Sequence, residues 1–229
     1  MKKVILGSLL SLVPQVFGLH IEYAYTAAVE TVCAQKLLAS QYASVPMAEL
    51  AESLGGEVLY ENILNEVVRL HGIHRPDKTG DPSKRFGFTL SVSGNAHEIE
   101  PNQGNDSFGI FEMDRKLIET LRPVRLFAKW VMDTIQNSYP GAKETQPHAF
   151  LFLTTDQTQS VMDKLHTHEE CLLVANIQLV PGAEGVEILG VPEPESFGHL
   201  TVFGGQTKHR IPKKIDKRLA LVIFFNQPE

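Results

Sequence analysis

From residue 148 onward the chain reads as a succession of short apolar runs, and this limits the fold more than any other feature. His148–Thr154, Cys171–Val180, Val186–Leu189, Leu200–Phe203 and Leu219–Phe225 are each of strand length and rich in β-branched or aromatic residues. Turn-forming stretches such as Pro181-Gly182 and Pro192-Glu193-Pro194-Glu195 separate them. Runs this short cannot be core helices, so the second half is expected to be a sheet-forming unit.

The first half has a different period. Residues 20–70 read as helical: Ala27, Ala28, Cys33, Leu37 and Leu38 keep near-helical spacing, and Ser44-Val45-Pro46-Met47 starts a short helix through Leu54 that Gly55-Gly56 ends. Ile63, Leu64, Val67, Val68 and His71 mark a further amphipathic helix. Residues 72–85 and 93–107 are loops by composition, while Arg85–Val92 and Phe108–Met113 read as strands. Asp114 suits the N-cap of a long helix carrying Leu117, Leu121, Val124, Phe127, Val131 and Ile135, which Pro123 is expected to kink or divide. Helices first and strands later define an α+β class, with helices on one side of a β-sandwich or barrel.

Composition excludes some functions. A net charge of -6 leaves no electrostatic footprint for nucleic acid. The two cysteines, Cys33 and Cys171, make no disulfide framework and are read as reduced core thiols, although a bridge between them stays open. Met1-Lys2-Lys3 and the apolar run Val4–Val13 have the form of a secretory leader, but Val16-Phe17-Gly18 is a poor cleavage site. The run is short for a membrane span, and no other stretch would cross a bilayer. The expected location is cytoplasmic, with a signal peptide over residues 1–18 keeping a secreted or periplasmic one open. Nucleophile elbows, phosphate-binding loops and dinucleotide fingerprints are absent.

The chemistry concentrates in the last quarter. His166-Thr167-His168-Glu169-Glu170 precedes the Cys171 strand, His209 follows a Gly204-Gly205 segment, and Arg218 comes nine positions later at the head of the final strand. Two histidines and one carboxylate on one face of a metal are the signature of non-haem Fe(II) sites that leave positions open. A His-x-Glu pair on a strand puts both side chains on one face, which His168 and Glu170 satisfy. A guanidinium such as that of Arg218 matches a carboxylate in two hydrogen bonds. His71-x-x-His74 has metal-ligand spacing too, but no third ligand lies near it in sequence.

Over residues 148–226 these features resemble the Fe(II)- and 2-oxoglutarate-dependent oxygenase family. Its pattern is a His-x-Asp/Glu pair, a distal His, and an Arg about ten residues beyond that opens an apolar strand. The resemblance implies a double-stranded β-helix (jelly-roll, cupin-like) core with N-terminal and central helices packed on one sheet. Residues 1–147 would be a helical and β extension buttressing the catalytic strands of 148–229, as one structural domain over 20–229. It implies Fe(II) held by His168, Glu170 and His209, with Arg218 binding the distal carboxylate of 2-oxoglutarate. The implied reaction is oxidation of a C–H bond by O2 in a small-molecule or peptide substrate, with 2-oxoglutarate decarboxylated to succinate and CO2.

Two positions depart from the family's habit. The carboxylate is Glu where Asp is commoner, and Ala220 stands where many members have a Ser that also touches 2-oxoglutarate. Two alternatives remain. One is a cupin-like metal enzyme without 2-oxoglutarate, using His166, His168 and His209. The other is a non-enzymatic β-sandwich binding module with structural histidines.

Overall fold

The computed structural model describes residues 25–31, 42–74, 86–90, 103–106, 109–112, 115–154, 164–181, 185–191, 197–211 and 217–228. The leader-like segment, Cys33, Leu37, Leu38, Asp114 and the Pro192–Glu195 linker lie outside them. Four α-helices are present among the described residues: α1 over residues 25–31, α2 at Ala48–Ser53, α3 at Gly56–His74 and α4 at Arg115–Ser138. The strands are β1 (Tyr42–Pro46), β2 (Phe86–Leu90), β3 (Gln103–Asp106), β4 (Gly109–Glu112), β5 (Gln146–Thr154), β6 (Cys171–Gln178), β7 (Glu187–Ile188), β8 (His199–Gly204), β9 (His209–Arg210) and β10 (Arg218–Asn226).

The strands form an eight-stranded sheet of order β1-β8-β6-β10-β5-β2-β3-β4 and a two-stranded sheet of β7 and β9. β10 lies inside the larger sheet because it is apolar on both faces. It pairs antiparallel with β5 from Arg218↔Thr154 to Asn226↔Gln146, and with β6 from Ala220↔Gln178 to Phe224↔Val174. Side chains alternate across a strand, so directly paired residues share a face. On one face Leu151, Leu153, Ala175, Ile177, Leu219, Leu221, Ile223 and Phe225 form a single core with Leu121, Val124, Phe127, Ala128, Val131, Met132 and Ile135 of α4. The other face carries Phe152, Val174, Asn176, Arg218, Val222 and Phe224 around a cavity. Val186 and Ile188, at the smaller sheet, pack over this face against Val174 and Phe203.

Several expectations change here. Tyr42–Pro46 is a strand rather than part of a helical region, because Ala43 and Val45 alternate inward and pair with β8. Its place at the sheet edge tolerates Pro46, which has no N–H to donate to a further strand. Gln103–Asp106, expected in a polar loop, is a strand held by pairing with β2 and β4. α3 continues through His74, past the loop expected from residue 72. α4 is one element despite Pro123. An internal proline costs about 3 kcal/mol, and the seven buried α4 residues named above offset it, at roughly 1.5–3 kcal/mol for each large apolar side chain.

Leu221 is 1% exposed at the middle of β10. Leu221→Ala is expected to lower unfolding stability by about 2–5 kcal/mol, read as a shift in urea midpoint at constant slope. A loss below about 0.5 kcal/mol, the usual limit for surface substitutions, would contradict the assignment of this face to the core.

Candidate metal centre

Three histidines converge where the larger sheet meets β9. His166 and His209 form an isolated antiparallel bridge. The His166 N–H donates to the His209 carbonyl at 2.9 Å, and the His209 N–H donates back to the His166 carbonyl at 3.1 Å. His168 is fixed separately: its N–H donates to the Gly205 carbonyl at 2.8 Å, while the Gly205 N–H donates to the Leu172 carbonyl at 3.1 Å. This approach explains the glycine. A Cβ at Gly205 would lie 2.0 Å from the Cys171 carbonyl oxygen and 2.5 Å from that of His168. Both obstacles are backbone atoms, which no side-chain rotation can move aside.

The outcome is a cluster in which His166, His168 and His209 each offer one ring nitrogen, all within 4.8 Å of one another. Among the described residues it is the one such grouping of His, Cys, Asp and Glu. The ring nitrogens are also oriented. His209 Nδ1 lies 2.9 Å from the Thr207 carbonyl and His166 Nδ1 lies 3.1 Å from the Lys164 carbonyl. A carbonyl only accepts, so Nδ1 carries the proton in the neutral ring and Nε2 is left as the donor atom. Phe203 packs 4.7 Å from the His209 ring and Phe224 4.9 Å from the His168 ring, centroid to centroid.

Burial favours the neutral form of the His168 and His209 rings. It is the main cause that pushes His209 down to about 4, with His166 and His168 adding to the fall and the Thr207 carbonyl opposing it. His168 is lowered by burial first and by His166 next, while Glu170 opposes the shift. A neutral imidazole is the form that binds a metal. Cys171 is pushed up to about 12, first by burial and then by the neighbouring Glu170, so its free thiol is protonated at neutral pH.

The structure departs from one assumption of the sequence reading, that His168 and Glu170 lie on one strand. Glu170 stands outside the cluster with its side chain 68% exposed, and its carboxylate lies 3.8 Å from His168 Nδ1. The reason is local. β6 begins only at Cys171 and Glu169-Glu170 form a turn, so strand alternation does not operate across His168 and Glu170. His166, held in register opposite His209, completes the group of three imidazoles.

His166, His168, His209 and Arg218 line one cavity of about 90 Å³ with Phe152, Val174, Asn176, Phe203, Val222 and Phe224. A single water needs about 10–15 Å³ on the same measure, so the space takes more than one ordered water. Arg218 is 2% exposed, and its Nε–H donates to Gln178 Oε1 at 3.0 Å. Sequence reasoning passed over Asn176 and Gln178. The signal was present: they are the two polar residues, at alternate positions, of the otherwise apolar run Cys171–Val180.

No protein-family model matches the chain, and no curated protein matches it in sequence. Solved structures do. The dioxygenase for auxin oxidation 1 of Arabidopsis thaliana, in binary complex with 2-oxoglutarate, superposes with a TM-score of 0.54 at 12% identity over 91% of this chain and 90% of that one. A Pseudomonas putida prolyl-4-hydroxylase gives 0.52 at 14% identity over 87% of this chain and 100% of that one. A Trichoplax adhaerens prolyl hydroxylase, in complex with a hypoxia inducible factor peptide fragment, gives 0.52 at 10% identity over 91% and 93% of the two chains. The chain therefore has the double-stranded β-helix fold of the 2-oxoglutarate- and Fe(II)-dependent oxygenases, with helices added in an α+β arrangement. No helix among the described residues is long and apolar enough to cross a membrane.

Two outcomes test this geometry. Gly205→Ala is expected to abolish high-affinity Zn(II) or Co(II) binding, read by titration against a chelator. Wild-type affinity in that variant would mean that the close approach does not position His168. The metal-free chain should also lose stability on acidification. Unfolded His209 takes a proton near about 6.5, whereas the folded residue does so only near about 4. Between those values the unfolded state binds more protons, so stability falls with falling pH and levels off below about 4. His209→Gln should flatten that part of the profile.

Proposed function

We propose that this protein is an Fe(II)- and 2-oxoglutarate-dependent oxygenase that holds its metal with His166, His168 and His209. The observation that carries the reading is the buried Arg218 lining the same cavity as the three imidazoles. The imidazole set alone would equally suit a metal enzyme that uses no 2-oxoglutarate. A guanidinium in the same cavity adds a receptor for a carboxylate at the far end of the ligand. Charge supports the same choice. Three neutral imidazoles leave a dication uncompensated, so the cavity favours an anionic ligand.

The donor set fits the group it would hold: three ring nitrogens, two of them oriented by backbone carbonyls, beside a carboxylate that can steady the third. When bound, Fe(II) with 2-oxoglutarate supplies the activation of O2, one oxygen atom ending in succinate and the other in the hydroxylated product. The chain's own residues do the rest. Arg218 binds and orients the dicarboxylate. Phe152, Val222 and Phe224 exclude water from its apolar middle. Glu170, beside His168 Nδ1, favours the tautomer that presents Nε2 to the metal. Substrate is an organic small molecule or a peptide. β1 and β2 lie in the same sheet as the C-terminal strands, so the chain is read as one catalytic unit over residues 20–229.

Anaerobically reconstituted protein should convert 2-oxoglutarate to succinate, with more turnover in the presence of a suitable metabolite or peptide. Arg218→Ala should raise the KM for 2-oxoglutarate at least about 30-fold, from the 2–5 kcal/mol that truncating a buried charge pair costs. An unchanged KM would sink the assignment. The ligand set has its own test. His166→Ala should lose metal affinity beyond the roughly 10–100-fold typical of an outer partner, and Glu170→Gln should stay within it. The reverse order would restore His168, Glu170 and His209 as the ligands.

A further inference from the structure

Asn176 has no structural reason to be where it is. It lies on β6, is 1% exposed, and lines the cavity between apolar neighbours. Neither its Oδ1 nor its Nδ2 has a hydrogen-bond partner in the protein. Buried polar atoms are nearly always paired, and an amide with both ends unmet points to a ligand that supplies the pairing. Its place in the register narrows the choice. Asn176 stands opposite Val222 on β10 and opposite Thr201 on β8. Thr201 is fully buried, and its Oγ1 also lacks a partner. Gln178, two residues further along the same face, holds Arg218. Along β6, then, the Asn176 amide lies between the end of the strand nearest the histidines and the residue that fixes the guanidinium.

We infer that Asn176 is a specificity-determining ligand contact of this cavity, donating through Nδ2 to an acceptor oxygen of the dicarboxylate. Thr201 acts as its positioning residue. A hydroxyl can donate, so Thr201 Oγ1–H satisfies Asn176 Oδ1 and turns the NH2 group towards the ligand. Across an antiparallel pair the two Cβ atoms are about 4.5–5.5 Å apart, within reach of such a bond after a rotamer change. The pair compensates for Ala220, which has no hydroxyl to offer the ligand. A carboxylate offers only acceptors, and an amide held in this way presents only donors. Neutral ligands of similar size that need an acceptor from the wall are thereby rejected.

This inference rests on the functional reading above, and its test separates the two. The Zn(II)-loaded full chain is titrated calorimetrically with 2-oxoglutarate. Asn176→Leu, close in volume and free of unmet polar atoms, should fold at least as well as wild type and keep its Zn(II) affinity. It should bind 2-oxoglutarate about 10- to 150-fold more weakly, the equivalent of one hydrogen bond to a charged group. Asn176→Asp should lose more, through repulsion of the dianion, and Thr201→Val should lose less than either. A readout on the unmodified protein covers variants that do not fold: with 15N-labelled asparagine, one side-chain NH2 pair should shift on adding 2-oxoglutarate. Among the described residues Asn176 is the one asparagine lining the cavity. If wild type does not bind 2-oxoglutarate, the functional reading fails and this inference fails with it. If wild type binds but the Leu variant binds equally well, or no asparagine side chain shifts, the functional reading stands and the role of Asn176 is overturned.

Discussion

The site depends on one backbone interaction, the reciprocal pair of hydrogen bonds between His166 and His209. These residues are far apart in the chain, and the bridge forces their rings to within 4.3 Å, centroid to centroid. It can form only because the segment after β8 folds back at Gly205, where the Cys171 and His168 carbonyls leave no room for a side chain. The three imidazoles are thus brought together by backbone pairing alone. Such a cluster is preorganised rather than gathered, and a donor set of that kind can take an ion without large ordering losses.

The second constraint is the separation of the larger sheet into two unlike faces. The face towards α4 is uniformly apolar and supplies the stability. The face towards β7 and β9 mixes apolar residues with His168, Asn176, Gln178 and Arg218. Buried polar groups of that kind cost free energy unless paired. Gln178 takes one donor of Arg218, whereas Asn176 and Thr201 have no partner within the chain. The apolar face is thus a scaffold that tolerates the cost, and the polar groups concentrate where a ligand can meet them.

Much of this was legible in the sequence because the responsible signals are local. The strands after residue 148 and the long α4 helix follow from the period of their apolar residues. Arg218 stands out as a charge at the head of an apolar run. The strand Tyr42–Pro46 was not legible, because its five residues form a strand only when β8 is there to pair with. Gln103–Asp106 is polar throughout and owes its conformation to its neighbours β2 and β4. The turn at Glu169-Glu170 was not legible for a related reason. The spacing argument assumes a strand at His168, and β6 starts only after the turn at Glu169-Glu170.

By itself the sequence determined the class of the fold, the segment in which the clustered histidines and Arg218 lie, and the residue types available there. Those properties depend on composition and short-range period, which each stretch carries alone. Only the tertiary structure decided which three side chains share a point in space, and that Asn176 faces the same cavity as Arg218. Such choices depend on the register between strands distant in sequence. A shift of one residue would turn every side chain to the opposite face.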